Sequence, residues 1–175
     1  MFGRILVPLD GDEVSEGILP YVTQLGTGLD VPVALLTVLD PGVLDPAELQ
    51  SAVEAATGRL KAVASRLADQ GTEAAILTSM GEPAEEIVGV AEREGCDLIA
   101  MSTHGRTALG RGLLGSVTDR VILSSHVPTL AITPERASRY WEGGEAISRV
   151  LVPLDGTRFA ETALPYVEYL ARQLS

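Results

Sequence analysis

Cysteine and lysine are scarce in this chain of 175 residues. Cys96 is the single cysteine, so no internal disulfide can form, as is typical of proteins in a reducing compartment. Lys61 is the only lysine among 13 basic residues. No stretch approaches the ~20 apolar residues of a membrane span, and the amino terminus lacks the long apolar segment of a secretory signal. These absences predict a soluble cytoplasmic protein.

Aromatic residues are also few, at 4%, whereas hydrophobic residues as a whole make up 46% of the sequence. The core must therefore be built from aliphatic side chains, which suits a parallel sheet covered by helices on both faces. The net charge of −11 repels nucleic acid phosphates and anionic lipids. We therefore expect neither a nucleic acid nor a membrane as partner.

An internal repeat is the most informative feature that is present. The sequence RILVPLDGDEVSEGILPYVTQL begins at Arg4, and the similar sequence RVLVPLDGTRFAETALPYVEYL begins at Arg149. The two segments align without gaps. A repeat of domain size indicates duplication rather than a solenoid. It predicts a complete domain over residues 1–134, a polar linker over 135–148, and the first strand and helix of a second, incomplete copy over 149–175. Because a lone strand and helix cannot bury their apolar faces, the chain is expected to be a fragment of a longer tandem protein.

Between the two copies, patterns of strands and helices alternate. The first copy opens with a strand pattern over Arg4–Leu9 and helical spacing of apolar residues over Asp12–Leu25. Further strands are predicted at Val31–Val38, Glu73–Thr78, Asp97–Met101 and Thr129–Thr133, and further helices at Pro46–Asp69, Pro83–Glu94 and about Ser116–Ser124. This alternation predicts an α/β fold with a doubly wound, five-stranded parallel sheet and helices on both faces.

Such sheets bind ligands beyond the carboxyl ends of their strands, where the strand order reverses. The first strand ends in Pro8-Leu9-Asp10-Gly11, which brings a carboxylate to this edge. Asp10 could accept hydrogen bonds from a ribose or an adenine amino group. The alternative is that Asp10 caps the following helix, and its recurrence as Asp155 fits both interpretations.

A glycine-rich segment follows the fourth strand and leads into a helix at Gly115-Ser116. Glycine lets the backbone approach a phosphate closely, and the amides at a helix amino terminus attract anions. The Ser116 hydroxyl could bond a phosphate oxygen, or it could cap the helix. The loop and Asp10 at one sheet edge together favour a nucleotide site.

These motifs resemble the universal stress protein family, whose ATP-binding members carry the pattern G-x2-G-x9-G-[S/T]. Gly105 and Gly115-Ser116 match the last two-thirds of the pattern, whereas Ser102 stands at the position of its first glycine. The opening LVPLDG and the segment TVLDP after the second strand are similar to the family as well. The resemblance covers residues 4–134 and restarts at 149. It implies a Rossmann-like fold of the adenine nucleotide alpha hydrolase type.

The resemblance also implies an adenine nucleotide, ATP or else AMP or ADP, accompanied by Mg²⁺ through its phosphates. It implies that Asp10 and the backbone at Val38 hold the adenosine, and that Met101 and Ser102 line the ribose. It further implies pairing of such domains, as a homodimer or as a domain-exchanged dimer. The full set of implied binding residues is Pro8, Asp10, Val38, Met101, Ser102, Gly105, Gly115, Ser116, Val117 and Thr118.

Three kinds of function are compatible with these residues. The first is a nucleotide-binding stress-response module that works by ligand-dependent conformation or association. The second is a slow ATPase or nucleotidyl-transferring enzyme. The glycine-rich segment lacks the lysine that a GxxxxGK[S/T] phosphate-binding loop requires, which argues against this function. The third is a receiver domain phosphorylated on Asp10, which would need further acids and a lysine after the fifth strand. We favour the first and expect neither a dedicated metal site nor rapid turnover.

Overall fold

The computed structural model describes residues 2–45, 47–103, 115–133, 147 and 149–174. The chain begins with strand β1 (Ile5–Pro8), after which helices and strands alternate as predicted. The other strands are β2 (Val33–Leu39), β3 (Ala74–Met80), β4 (Leu98–Ser102) and β5 (Thr129–Ile132). The helices are α1 (Glu13–Glu16), α2 (Leu19–Leu29), α3 (Leu49–Ala68), α4 (Pro83–Arg93), α5 (Ser116–Ser124), α6 (Arg158–Glu161) and α7 (Leu164–Gln173). None of the helices in the described ranges is long and apolar enough to cross a membrane.

The five strands form one parallel sheet in the order β3-β2-β1-β4-β5. The chain moves outward from β1 to β3, then returns to the other side of β1 for β4 and β5. The strand order therefore reverses between β1 and β4, which is the switch point of a doubly wound sheet. The predicted fold class is confirmed.

Two aliphatic cores lie on opposite faces of this sheet. One core packs β1 and β2 against α2 and α3, with Ile18, Leu25, Leu60 and Leu67 fully or almost fully buried. The other packs the sheet against α4 and α5 and contains mainly aliphatic side chains. Strands covered on both faces are expected to be apolar throughout, and β1 and β2 are buried along nearly their whole length.

The helix predicted over Asp12–Leu25 is wrong in its continuity and in its end. It is divided into α1 and α2, because Pro20 has no amide hydrogen and its ring clashes with the carbonyl of residue 16 in a continuous helix. The second part runs on to Leu29 and ends at Asp30, which adopts the left-handed conformation (φ 53°). Asp tolerates that conformation better than most residues do.

The strand predicted at the start of the second copy is also wrong, since Val150–Leu154 adopts no strand. A strand is defined by hydrogen bonds to a neighbouring strand, and this segment has none in the described part of the chain. The two helices that follow it, α6 and α7, do form.

Helix α7 packs on the outside of α2 in the same chain. Phe2 is the centre of this contact, because its ring lies 5.8 Å from the rings of both Tyr166 and Tyr169. Leu174 packs against the α2–α3 core, and its side chain lies so close to Gly28 that a Cβ on the glycine would be 2.7 Å away. The second copy is therefore attached to the first domain through α7, by a small apolar contact.

The predicted linker lies largely outside the described residues, with Ile147 as the exception. The backbone of Ile147 exchanges two hydrogen bonds with the Gln24 side chain, at 3.0 and 3.3 Å, and its side chain packs on the α2–α3 core. The chain is thus fixed to α2 two residues before the second copy begins.

Candidate functional site

The carboxyl edge of the sheet brings three of the sequence-predicted site residues to one face. Met101 belongs to the core beneath α4 and α5, and Val38 packs against that core. Leu6 belongs to the same core, and Pro8 is two residues further along β1. Because side chains two residues apart in a strand lie on the same face, Pro8 faces this side of the sheet as well. Because β2, β1 and β4 are neighbours, these residues form an apolar row across the switch point, called the apolar floor below. Pro8 and Val38 are half-buried in it, and Met101 is buried.

Asp10 lies just beyond the end of β1 and is exposed. Its carboxylate accepts a hydrogen bond from the amide of Asp12 at 2.9 Å. The helix cap is Asp12, whose side chain accepts from the amide of Val14 at 3.2 Å. The alternative in which Asp10 caps the helix is therefore wrong, and its carboxylate shapes the turn at the edge of the crevice.

Helix α5 begins at the same edge without a side-chain cap. Its amino-terminal cap residue is Gly115, which has no side chain and so makes no side-chain cap bond to the first turn. Ser116 therefore does not cap the helix, and it is exposed, whereas Val117 is half-buried and Thr118 is buried. The first amides of a helix lack partners within the helix, and together with the helix dipole they favour an anion.

Strand β4 and helix α5 are tied together at the site. The Thr118 hydroxyl donates to the carbonyl of Ser102 at 3.2 Å, and the amide of Gly115 donates to the carbonyl of Thr103 at 2.5 Å. Thr103 in turn donates its amide to Ile132 at 2.9 Å. These bonds fix the start of α5 beside the end of β4. Gly105 lies outside the described residues.

Two residues that the sequence analysis did not select also shape this edge. The buried Thr37 hydroxyl donates to the carbonyl of Leu9 at 2.9 Å and thereby holds the end of β1 against β2. The Arg59 guanidinium lies over Gly11, where a Cβ would be 2.8 Å from its Nε. Arg59 comes from the middle of α3, and no local pattern could have connected it with Gly11.

The remaining chemistry of the described residues is sparse. They contain no group of three His, Cys, Asp or Glu side chains that could hold a metal ion. Cys96 is buried, and this burial raises the pKa of its thiol to about 11, which keeps it protonated and unreactive at neutral pH. The interpretation of Cys96 as a small buried residue is confirmed.

A five-stranded parallel sheet whose strand order reverses between β1 and β4 defines an α/β protein with a Rossmann-like, doubly wound fold. The sequence model of the universal stress protein family matches residues 1–133. The chain belongs to the universal stress protein family.

Its relatives agree with this assignment. Universal stress protein MJ0577 of Methanocaldococcus jannaschii is 34% identical over 154 residues, covering 75% of this chain and 95% of the relative. Universal stress protein MJ0531 of the same organism is 36% identical over 149 residues, covering 75% and 82%. A crystal structure of an Archaeoglobus fulgidus universal stress protein is 25% identical with a TM-score of 0.79. That match covers 98% of this chain and 63% of the other, so it extends into residues 149–174.

Two further solved structures share the fold at lower identity and were determined with ligands. A universal stress protein in complex with cAMP is 19% identical, with a TM-score of 0.56 over 76% of this chain and 98% of its own. The Archaeoglobus fulgidus protein in complex with dAMP is 20% identical, with a TM-score of 0.58 over 75% and 98%. At these identities the similarity establishes the fold.

Proposed function

We propose that this protein binds an adenine nucleotide in the crevice between the β1–α1 turn and the start of α5. The observation that carries the proposal is the apolar floor of Pro8, Val38 and Met101 beside the uncapped first turn of α5. An apolar surface suits a purine ring, and unpaired helix amides suit a phosphate. Relatives of this fold solved with cAMP and with dAMP support the choice of ligand class.

Each part of the crevice fits one part of the ligand. Asp10 and the backbone at Val38 would hold the adenosine, and the end of β4 would run along the ribose. The phosphates would meet the first turn of α5, which comprises Gly115, Ser116, Val117 and Thr118, together with Gly105 from the preceding loop. A Mg²⁺ ion would be held by the phosphates, because the described residues offer no metal-binding group of their own.

The function that fits best is regulatory: a cytoplasmic stress-response protein that changes its conformation or association when the nucleotide binds. A slow ATPase is the second candidate. The first turn of α5, over Gly115–Thr118, contains no cationic side chain, whereas catalysts of phosphoryl transfer hold the transferring phosphate with cations. We expect phosphate release far below the ~1–10³ turnovers per second of typical enzymes. A steady-state phosphate assay within that range would favour the enzyme instead.

Calorimetric titration of the full chain with ATP, ADP and AMP tests the proposal directly. We expect dissociation constants in the micromolar range, which correspond to binding free energies of about −8 kcal/mol. Gly115→Val should abolish the heat of binding while the far-UV circular dichroism stays unchanged, because the side chain would stand at the start of α5. The matched control is Leu123→Val, since Leu123 is exposed near the other end of the same helix. No heat with any nucleotide, or normal binding by Gly115→Val, would contradict the proposed site.

We further propose that residues 149–174 mediate association with a second copy of this chain. Leu151 and Phe159 are 92% and 86% exposed, whereas their equivalents in the first copy, Leu6 and Val14, are 0% and 38% exposed. The chain itself contains a surface that fits this segment. In the first copy, the strand of the same LVPLDG sequence pairs with β2 on one side and with β4 on the other. Symmetric pairing, with or without exchange of the segment, would cover these side chains.

Light scattering after size-exclusion chromatography tests this association. The full chain should show the mass of a dimer, and the double variant Leu151→Asp, Phe159→Asp should shift it toward the monomer. Val43→Asp is the matched control, because Val43 is similarly exposed, at 82%, but lies outside residues 149–174. A monomeric wild-type chain, or a dimer that persists in the double variant, would refute association through this segment.

A further inference from the structure

The contact between the two copies of the repeat is reciprocal. In the alignment of the two copies, Phe2 corresponds to Ile147. Gln24 in α2 corresponds to Tyr169 in α7. The Phe2 ring lies 5.8 Å from the Tyr169 ring. In exchange, the backbone of Ile147 forms its two hydrogen bonds with the Gln24 side chain. Each copy thus places the same position of its sequence on the same position of the other copy's helix, which is the property of a two-fold interface.

A pair of equivalent residues marks where the two-fold axis passes. Gly28 in α2 corresponds to Gln173 in α7, and a Cβ on Gly28 would be 3.7 Å from the backbone oxygen of Gln173. Residues that lie beside their own equivalents are close to the axis that relates them. The axis therefore passes between α2 and α7 near Gly28. Phe2, Gln24 and Gly28 form one surface of the first copy around this axis, called the α2 face below.

The α2 face is suited to a second copy of itself. Helix α2 contains no charged residue, although the chain has a net charge of −11. Two α2 helices would therefore meet without the repulsion between like charges that opposes contacts between acidic proteins. Gly28 leaves room at the axis for a close approach. In the single chain Leu174 fills this room, and the rings of Tyr166 and Tyr169 lie on Phe2. Helix α7 thus occupies the surface that a second copy would use.

We infer that the α2 face is a two-fold docking surface for a second copy of this chain, and that α7 covers it within one chain. In the paired state, Phe2 of each chain would pack on Gln24 of the other, and the two Gly28 residues would meet at the axis. As part of the same chain, α7 competes at an effective concentration on the order of millimolar. Pairing through the α2 face therefore requires displacement of α7. The inference does not depend on nucleotide binding or on association through Leu151 and Phe159.

The first experiment tests the axis with paired cysteines in the full chain. Under mild oxidation, the double variant Gly28→Cys, Gln173→Cys should form a disulfide within one chain, seen by mass spectrometry as an intact monomer without free introduced thiols. The matched control is Thr27→Cys, Gln173→Cys, which should stay reduced, because Thr27 is exposed and lies against Gly71. Cys96, the only native cysteine, is buried and should not react. Failure of the first pair to form this bond, or equal cross-linking of the control, would overturn the inference.

The second experiment displaces α7 from the α2 face. Tyr169→Asp with Leu174→Asp removes apolar contacts from α7 and adds negative charge, while the α2 face stays intact. In this background Gly28→Cys alone should link two chains through a disulfide, because a residue at a two-fold axis meets its own counterpart. We expect cross-linking roughly tenfold faster than for Gly28→Cys in the otherwise native chain, which corresponds to about 1.4 kcal/mol of lost contact with α7. Thr27→Cys in the same background is the control and should not cross-link.

Cross-linking at Gly28 reports the α2 face alone, so it distinguishes this pairing from association through the second copy. No cross-linking of Gly28→Cys after displacement of α7, or cross-linking of Thr27→Cys at the same rate, would overturn the inference. Far-UV circular dichroism checks that the displaced variant stays folded. If it unfolds, Gly28→Cys alone decides, because its own Cβ would lie 2.7 Å from the Leu174 side chain and push it aside. Absence of slow cross-linking in that single variant would then overturn the inference.

Discussion

The first and second copies of the repeated sequence adopt the same local structure in two different environments. Gly11 and its equivalent Gly156 have φ angles of 84° and 82°. Asp10 and Asp155 each accept a hydrogen bond at 2.9 Å from the amide two residues on. Both copies continue with a four-residue helix and a longer one that opens with Leu-Pro. Turn and helix geometry is therefore encoded locally.

The strand and the burial differ between the copies. Leu6 is fully buried in β1, whereas its equivalent Leu151 is 92% exposed and not in a strand. Because the two leucines lie in nearly identical local sequences, the local sequence explains neither the difference in burial nor the difference in strand formation. What the second copy lacks in the described structure is the neighbouring strands and the helices on both faces. The comparison shows that this sequence specifies its turns alone but requires the rest of a sheet to form its strand.

Substituting the same leucine in both copies should reveal the largest difference. Leu6→Ala removes a fully buried side chain and should lower the free energy of unfolding by about 2–5 kcal/mol. At protein concentrations low enough for the chain to be monomeric, Leu151→Ala should change it by less than about 0.5 kcal/mol, as is usual at exposed positions. Urea denaturation of both variants measures the two values. An equal loss in Leu151→Ala under these conditions would contradict the comparison, whereas a loss that grows with protein concentration is what the proposed association predicts.

The two turn glycines offer a smaller contrast. Alanine at either position is strained by the positive φ, at a cost of ~1–2 kcal/mol. At Gly11 a Cβ would also meet the Arg59 guanidinium, whereas at Gly156 it would meet open space. Gly11→Ala should therefore be the more destabilising of the two in urea denaturation. The double variant Gly11→Ala, Arg59→Ala should recover the difference; if it does not, Arg59 does not restrict this turn.

Much of this structure could be predicted because its signals are local. Apolar strands, helical spacing and the Pro83 start of α4 placed most elements, and helix α5 was predicted with its observed bounds. Pro8, Val38 and Met101 were implied as site residues by the family resemblance, and the strand order of the structure brings all three to the carboxyl edge. Thr37 and Arg59 could not be predicted, because their contacts join segments far apart in sequence. The break between α1 and α2 was missed because the apolar spacing continues across Pro20.

The contact of α7 with the first domain should respond weakly to substitution. Leu174→Ala removes a partly buried side chain from the α2–α7 contact and should cost about 1 kcal/mol, less than the equivalent Leu29→Ala in the core of the first copy. Hydrogen exchange followed by mass spectrometry should show faster exchange in Leu164–Gln173 and unchanged exchange in β1. Leu164→Ala is the control, because Leu164 is largely exposed on the same helix. Faster exchange throughout the chain would mean that the two copies unfold as one unit.

The helix caps should give the smallest effects. Asp12 caps α1, and Thr157 caps α6 by accepting from the amide of Ala160 at 3.1 Å. Replacing a cap by alanine costs typically ~1 kcal/mol. Asp12→Ala should lower global stability by about that amount in urea denaturation, and Thr157→Ala should leave it nearly unchanged, since its helix adds little to the core. Equal losses would contradict the view that the second copy is only loosely attached.

The stoichiometry of nucleotide binding tests the central claim most directly. Both copies contain the LVPLDG turn, but only the first is followed by β4 and the start of α5 within this chain. Equilibrium dialysis of the full chain against radiolabelled ATP, at concentrations well above the dissociation constant, counts the sites. The account predicts about one ATP per chain, lost in Gly115→Val. No bound ATP, or two per chain, would contradict it.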